Sequence, residues 1–138
     1  KSPFACTYPI GKPKKPRFDI IAVDKSGKLC VIEFKKGTGA LAGASGLKEH
    51  YDCYKHSIGQ NSQAFVDEMK NLLEQKQSLN LIDSQVKIED PYPKFMFAYS
   101  YTTNDLEREN RIFDREFTKI KDAIQVLKLK KGSMSLLA

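Results

Sequence analysis

Residues 17–37, RFDIIAVDKSGKLCVIEFKKG, contain two β-rich apolar runs joined by a short polar turn. Lys25, Ser26 and Gly27 fit a three-residue hairpin loop, whose third position takes a positive φ and is normally glycine. Asp24 then pairs with Lys28, and this pairing fixes the register of the hairpin. The turn therefore predicts two antiparallel strands, within 17–24 and 28–35.

Both predicted strands carry charged residues inside their apolar runs. In the predicted register, Asp19 lies directly across from Glu33 on one sheet face, and Lys35 shares that face because side chains alternate along a strand. A two-residue loop would shift the pairing by one residue and send Asp19 to the face opposite Glu33. The position of Gly27 thus favours a cluster of the three charges.

The three charged residues suggest a chemistry. Two carboxylates opposed across a ladder repel each other, and a divalent cation relieves that repulsion. Asp and Glu oxygens are hard ligands that suit Mg²⁺ or Mn²⁺. Such an ion can hold a phosphate oxygen and acidify a water, while Lys35 orients that water or stabilises developing charge. Asp19, Glu33 and Lys35 are therefore candidate catalytic residues for phosphodiester hydrolysis.

An alternative interpretation is a strand whose outer face is wet and carries these charges without a function. The Glu-x-Lys pattern recurs at 68–70 and 74–76, where it lies on a predicted helix face and is simply solvated. Against the alternative, four apolar residues share the face of the charges: Ile21, Val23, Leu29 and Val31. Both interpretations stay open on the residues alone.

The rest of the chain predicts a mixed sheet with helices packed on it. We expect a short strand at 4–10, a helical region at 45–79 that is broken near 57–59, and a buried strand at 95–101. Thr102, Thr103 and Asn104 can cap a last long helix. Its apolar face and its basic end are predicted from these residues: Phe113, Phe117, Ile120, Ala123, Ile124, Leu127, Lys128, Lys130 and Lys131.

Several of these segments match a known family. An Asp in a strand (FD, 18–19), a hairpin, and Glu-x-Lys in the next strand (EFK, 33–35) resemble the PD-(D/E)XK nuclease superfamily, which has the restriction-endonuclease-like fold. The helix GLKEHYDCYKH (46–56) and the strand FMFAYSY (95–101) continue the likeness. The resemblance implies an α/β fold with a central mixed sheet of about four strands flanked by helices. It also implies Mg²⁺- or Mn²⁺-dependent endo- or exonuclease activity, on DNA more than on RNA.

The resemblance also assigns roles to individual residues. It makes Asp19 and Glu33 metal ligands, together with the Phe34 backbone carbonyl, and it makes Lys35 the catalytic lysine. Four residues become candidate nucleic-acid contacts: Lys36, Lys48, Tyr51 and Lys55. We expect Tyr54 to pack against the sheet, and His50 and His56 to be surface residues.

The chain departs from the family pattern in three places. Phe18 replaces the proline that often precedes the Asp, and no glutamine stands at Gly46 or Leu47. The family's first helix has no counterpart ahead of Phe4. We therefore expect residues 1–138 to form one domain that is a fragment of a longer protein, with further domains as partners within the same chain.

Composition narrows the choice of partner and of cellular compartment. The net charge of +6 suits a polyanionic partner such as nucleic acid. The odd number of cysteines, without a CxxC pair, favours an intracellular, reducing compartment, cytoplasmic or nuclear. No apolar run approaches the roughly 20 residues that span a membrane. Besides a nuclease, the sequence allows a non-catalytic nucleic-acid-binding module of the same fold or a protein-interaction domain.

Overall fold

A computed structural model describes residues 17–130 and, upstream of them, the backbone of two short strands. These strands, β1 (Cys6–Thr7) and β2 (Pro13–Lys14), pair antiparallel in a two-stranded sheet of their own. Most of the strand predicted at 4–10 lies outside the described residues. Its described part is extended and pairs with β2.

The main sheet has four strands: β3 (Ile20–Val23), β4 (Leu29–Lys36), β5 (Lys94–Ser100) and β6 (Gln125–Leu129), in the order β3-β4-β5-β6. β3 and β4 are antiparallel, whereas β5 is parallel to both β4 and β6. Helices flank this sheet. The predicted α/β class, with a mixed sheet of about four strands flanked by helices, is confirmed.

The hairpin between β3 and β4 has the predicted register. Val23 pairs with Leu29, and Ile20 pairs with Ile32. The Asp24 amide donates to the Lys28 carbonyl at 2.9 Å, which closes the three-residue loop. Gly27 has a φ of 78°, the left-handed conformation that the loop requires.

The predicted helical region and its break are also confirmed. α1 (Leu47–Tyr54) runs into a π-helical turn, Lys55–Gly59, and α2 (Ser62–Ser78) follows. In the turn, the Ser57 hydroxyl donates to the Cys53 carbonyl at 2.7 Å, a local bond that competes with regular helix pairing.

The prediction for the end of the chain is wrong beyond residue 117. α3 (Leu106–Phe117) is followed by a turn and then by β6, which contains Leu127 and Lys128. β5 is buried along its length, so its backbone needs a partner strand on each side, and β6 supplies the second one. Ala123 and Ile124 lie in the turn and Lys130 follows β6, while Lys131 lies outside the described residues.

The cap of α3 also differs from the prediction. Asp105, one residue after the predicted capping residues, accepts a hydrogen bond from the Arg108 amide at 3.0 Å. Thr103 supports this cap by accepting from the Asp105 amide at 3.2 Å. The helix therefore begins slightly later than expected, with a carboxylate at its positive end.

One continuous core joins the three helices to a single face of the sheet. It contains the odd-numbered apolar residues of β4 and β5 together with side chains from α1, α2 and α3, among them Val31, Leu47, Phe65, Phe97, Tyr99 and Phe113. No helix in the described part of the chain is both long and apolar enough to cross a membrane.

Candidate active site

Glu33 and Lys35 continue the buried face of β4. Leu29, Val31, Glu33 and Lys35 alternate along the strand, and the two charged residues are only 3% and 4% exposed. A buried charge is tolerated when it is paired. Lys35 Nζ lies 3.1 Å from Glu33 Oε1 and also donates to the Ser45 carbonyl at 2.7 Å. The wet-face interpretation therefore does not hold for these two residues.

His50 joins this pair, although the sequence predicts a surface residue. Its Nδ1 lies 2.5 Å from Glu33 Oε1, and its side chain is only 21% exposed. That prediction is wrong for His50. The signal was present in α1, because Leu47, His50 and Tyr54 are three and four residues apart and so share the face that packs on the sheet. His56 is exposed, as predicted.

The surroundings of Glu33 keep it ionised. Burial alone raises the pKa of its carboxyl group, but the hydrogen bond and charge of His50 and the ammonium of Lys35 outweigh burial and hold the pKa below its ordinary value. Both neighbours contact the same oxygen, Oε1. A further cation can therefore bind Oε2 without breaking either contact.

Asp19 stands at the entrance to β3, immediately before the first paired residue. The observed ladder ends at the Ile20–Ile32 pair, one residue short of the predicted Asp19–Glu33 pair. The exposed Asp19 carboxylate turns to the strand backbone, where Oδ2 accepts from the Phe34 amide at 2.8 Å. In a strand, the amide and carbonyl of one residue point to the same neighbour. The Phe34 carbonyl therefore points to the side of β4 on which Asp19 lies.

The side chains around Glu33 limit which kind of metal ion could bind there. Within residues 17–130, no three His, Cys, Asp or Glu side chains are grouped so as to hold a metal together. A closed four-ligand site of the zinc type is therefore not built from these side chains. Mg²⁺ keeps several waters and binds through one or two carboxylates. Asp19, Glu33 and the Phe34 carbonyl are hard oxygen donors, and their number suits a Mg²⁺ ion that keeps several water ligands.

Three of the predicted nucleic-acid contacts, two on α1 and one at the start of the π-helical turn, already have acidic partners. Lys48 forms an ion pair with Asp52, one helical turn further on. Lys55 and Tyr51 both donate to Asp122 Oδ2, each at 2.9 Å. Burial, followed by the bond to this carboxylate, raises the pKa of Tyr51 to about 12.

Two other predicted residues fall on different surfaces. Lys36 is exposed, but alternation along β4 sends its side chain to the face opposite Lys35. Tyr54 is buried and donates to the Pro93 carbonyl at 2.8 Å, so the prediction that it packs against the sheet is confirmed. The structure brings none of the four predicted contacts to Glu33.

A second buried carboxylate, which the sequence did not reveal, lies at the start of α3. Glu109 is 3% exposed and accepts from the Tyr99 hydroxyl at 2.6 Å and the Thr103 amide at 2.6 Å, with a further bond from the Thr102 amide at 3.0 Å. Burial raises its pKa, but these donors outweigh burial and hold the pKa below its ordinary value. Tyr99 is the β5 partner of Lys35, so the two buried carboxylates lie in one layer of the core.

Comparison with known proteins gives no match. No family model fits the chain, and no curated protein and no solved structure resembles it closely enough to count. The function must therefore be argued from the residues and their geometry.

Proposed function

We propose that the chain is a metal-dependent nuclease domain that hydrolyses phosphodiester bonds in nucleic acid, most readily in DNA. The observation that carries this proposal is the buried Glu33–Lys35 pair near the carboxyl end of β4, with the Asp19 carboxylate on the backbone between them. Ligands of α/β sheets bind at the carboxyl ends of strands. The likeness to the PD-(D/E)XK nucleases adds support, because it assigns the same residues.

Asp19, Glu33 and the Phe34 carbonyl are the groups that would hold Mg²⁺ or Mn²⁺. When bound, the ion would act as a Lewis acid on the phosphate and lower the pKa of a water. Glu33 contributes a carboxylate that is charged at neutral pH, since its pKa is held low. Asp19 contributes the exposed side of the site, where a long substrate can approach.

Lys35 orients the reacting groups. An ammonium has three N–H donors, and the Glu33 carboxylate and Ser45 carbonyl accept two of them. The third can donate to the attacked phosphate or to the incoming water. Because the first two bonds fix the ammonium, its charge is pre-positioned for the negative charge that develops during attack.

A second candidate function is a non-catalytic nucleic-acid-binding module of the same fold. One observation favours it: Glu33 Oε1 is already contacted by both Lys35 and His50, so the pair is stable without a further cation. The two functions share the fold and the net charge, and they differ only in whether a phosphodiester bond is broken.

The deciding experiment uses the chain's own repeated motif as its control. Plasmid and single-stranded DNA are incubated with the protein in Mg²⁺, Mn²⁺ or EDTA, alongside Glu33→Gln and Lys35→Met. The matched controls are Glu68→Gln and Lys70→Met, which change the same Glu-x-Lys letters on α2. We expect metal-dependent cutting that is lost in the first pair and kept in the second.

Other outcomes have clear meanings. DNA binding without cutting, under any metal, would support the binding module instead. Equal loss of cutting in the α2 controls would contradict the assignment of the catalytic residues to Glu33 and Lys35 of β4. A chain that neither binds nor cuts nucleic acid would overturn both functions.

A further inference from the structure

The outer edge of β3 is one of the two edges of the four-stranded sheet. β3 is bonded to β4 on one side and, among the described strands, has no neighbour on the other. The Asp24–Lys28 bond sets the alternation, so Ala22 and Ile20 exchange their backbone bonds with β4. The amide and carbonyl groups of Ile21 and Val23 therefore point away from β4.

An apolar groove runs beside this edge, between β3 and α2. It has a volume of about 280 Å³, and its lining includes Ile21, Val23, Met69, Leu72 and Val86. Ile21 and Leu72 are 42% and 41% exposed, a large value for residues that face each other across a groove. The volume lies below the roughly 300–1,000 Å³ of small-molecule pockets, so the groove suits one or two side chains.

The charge beside the groove indicates what kind of chain it accepts. Lys76 of α2 also lines the groove and has no acidic partner in the described part of the chain. The net charge of +6 opposes association between two copies of this protein and favours an acidic partner.

We propose that the outer edge of β3 and its groove bind an extended strand from an acidic partner protein. The strand adds to the sheet through the backbone groups of Ile21 and Val23 that point away from β4. Alternate side chains of the strand face the groove, as its two-residue period requires. The apolar ones enter the groove, and a carboxylate on that same face meets Lys76. This binding surface is independent of the nuclease proposal, since it involves neither Glu33 nor Lys35.

The test uses two synthetic peptides as probes. One is a six-residue peptide in which valine, valine and glutamate alternate with threonine, so that both valines and the glutamate share one face. The other is the same peptide with every second backbone nitrogen methylated. Methylation removes the strand's donors and leaves its side chains unchanged. NMR titration should shift the Ile21 and Val23 amides and the Leu72 methyl groups with the first peptide, and N-methylation should weaken binding at least tenfold.

A pair of variants locates the site on the protein. Leu72→Glu places a negative charge in the groove and should weaken peptide binding at least tenfold. Leu81→Glu is the matched control, because Leu81 is 66% exposed and lies outside the groove lining, and it should bind as the unchanged protein does.

Three results would overturn the proposal. The first is equal binding of the methylated peptide, and the second is the absence of shifts at Ile21 and Val23 up to millimolar peptide. The third is a dimer of the protein, seen by light scattering, that is lost in Leu72→Glu and so assigns the edge to a second copy.

Discussion

Glu33 and Glu109 are two carboxylates buried to the same degree in one layer of the core, and they are satisfied in opposite ways. Glu33 contacts two basic side chains, a lysine and a histidine. Glu109 contacts a tyrosine hydroxyl and backbone amides that are fixed by the fold. Burial alone therefore does not mark a functional carboxylate. The kind of donor distinguishes the two carboxylates, and the proposed metal site uses the one whose donors are basic side chains rather than a hydroxyl and backbone amides.

The largest expected effect is on catalysis at Glu33. Glu33→Gln keeps an acceptor for Lys35 but removes the charge, so cutting of DNA in Mg²⁺ should fall at least about 10²-fold. The free energy of unfolding should fall by about 3 kcal/mol, because Lys35 keeps a neutral acceptor but loses its buried counter-charge. Cutting assays and urea unfolding measure the two quantities. A loss of stability without a loss of cutting would make Glu33 a structural residue like Glu109.

Glu109 should affect stability without affecting cutting. Glu109→Ala leaves the Tyr99 hydroxyl and the Thr103 amide without their acceptor, and each unsatisfied buried group costs about 1–3 kcal/mol. We expect a loss of about 3 kcal/mol in urea unfolding. Cutting per folded molecule should stay nearly constant. A selective loss of cutting would instead connect Glu109 to the reaction through Tyr99 and Lys35.

His50 tests whether Glu33 depends on being held in place. His50→Ala removes the Nδ1 contact and should reduce cutting about 10–100-fold, the usual effect of removing a group that orients a ligand. His50→Gln can still donate to Glu33 and should recover most of that loss, mainly in kcat rather than in KM. If alanine and glutamine behave alike, then the hydrogen bond does not orient the carboxylate.

The smallest expected effect is the pH dependence of stability. In the folded protein the pKa values of Glu33 and Glu109 both lie below the ordinary 4.5. Each ionised carboxylate therefore stabilises the fold fully above pH 4.5, and this stabilisation is lost as the pH falls through the folded-state pKa. Glu109→Gln should therefore be less stable at pH 7, and its deficit should shrink as the solution is acidified toward pH 3. Chemical unfolding at several pH values measures this, and a constant deficit would contradict it.

The sequence predicted the parts of the molecule that local chemistry decides. A three-residue loop with glycine at its third position determined the hairpin register, and alternation along β4 determined the common face of Glu33 and Lys35. The helix break near Ser57 was predictable for the same reason. The hydrogen bond from the Phe34 amide to the Asp19 carboxylate was not predictable from the sequence, because it depends on the residue at which β3 begins.

The errors come from contacts between distant segments. Leu127 falls seven residues after Ile120, a helical spacing. It nevertheless lies in a strand, because β6 pairs with the edge of β5 that β4 leaves open. His50 was predicted to be a surface residue because the periodicity of apolar residues, which identifies the buried face of a helix, does not count a polar residue on that face. Glu109 could not be found from its neighbours in sequence, since its strongest donors belong to β5 and to the loop that follows it.

The bond from Lys35 to the Ser45 carbonyl has a mechanical consequence. At the start of the glycine-rich segment 37–46, the Gly37 amide donates to Ser100 at 2.9 Å, and near its end Ser45 is tied to Lys35 at 2.7 Å. The segment is thus a short loop closed at both ends, which has far fewer conformations than an open one. Replacing Lys35 would remove one of the bonds that hold this end, so Lys35→Met should make the segment more sensitive to limited proteolysis in addition to its loss of charge.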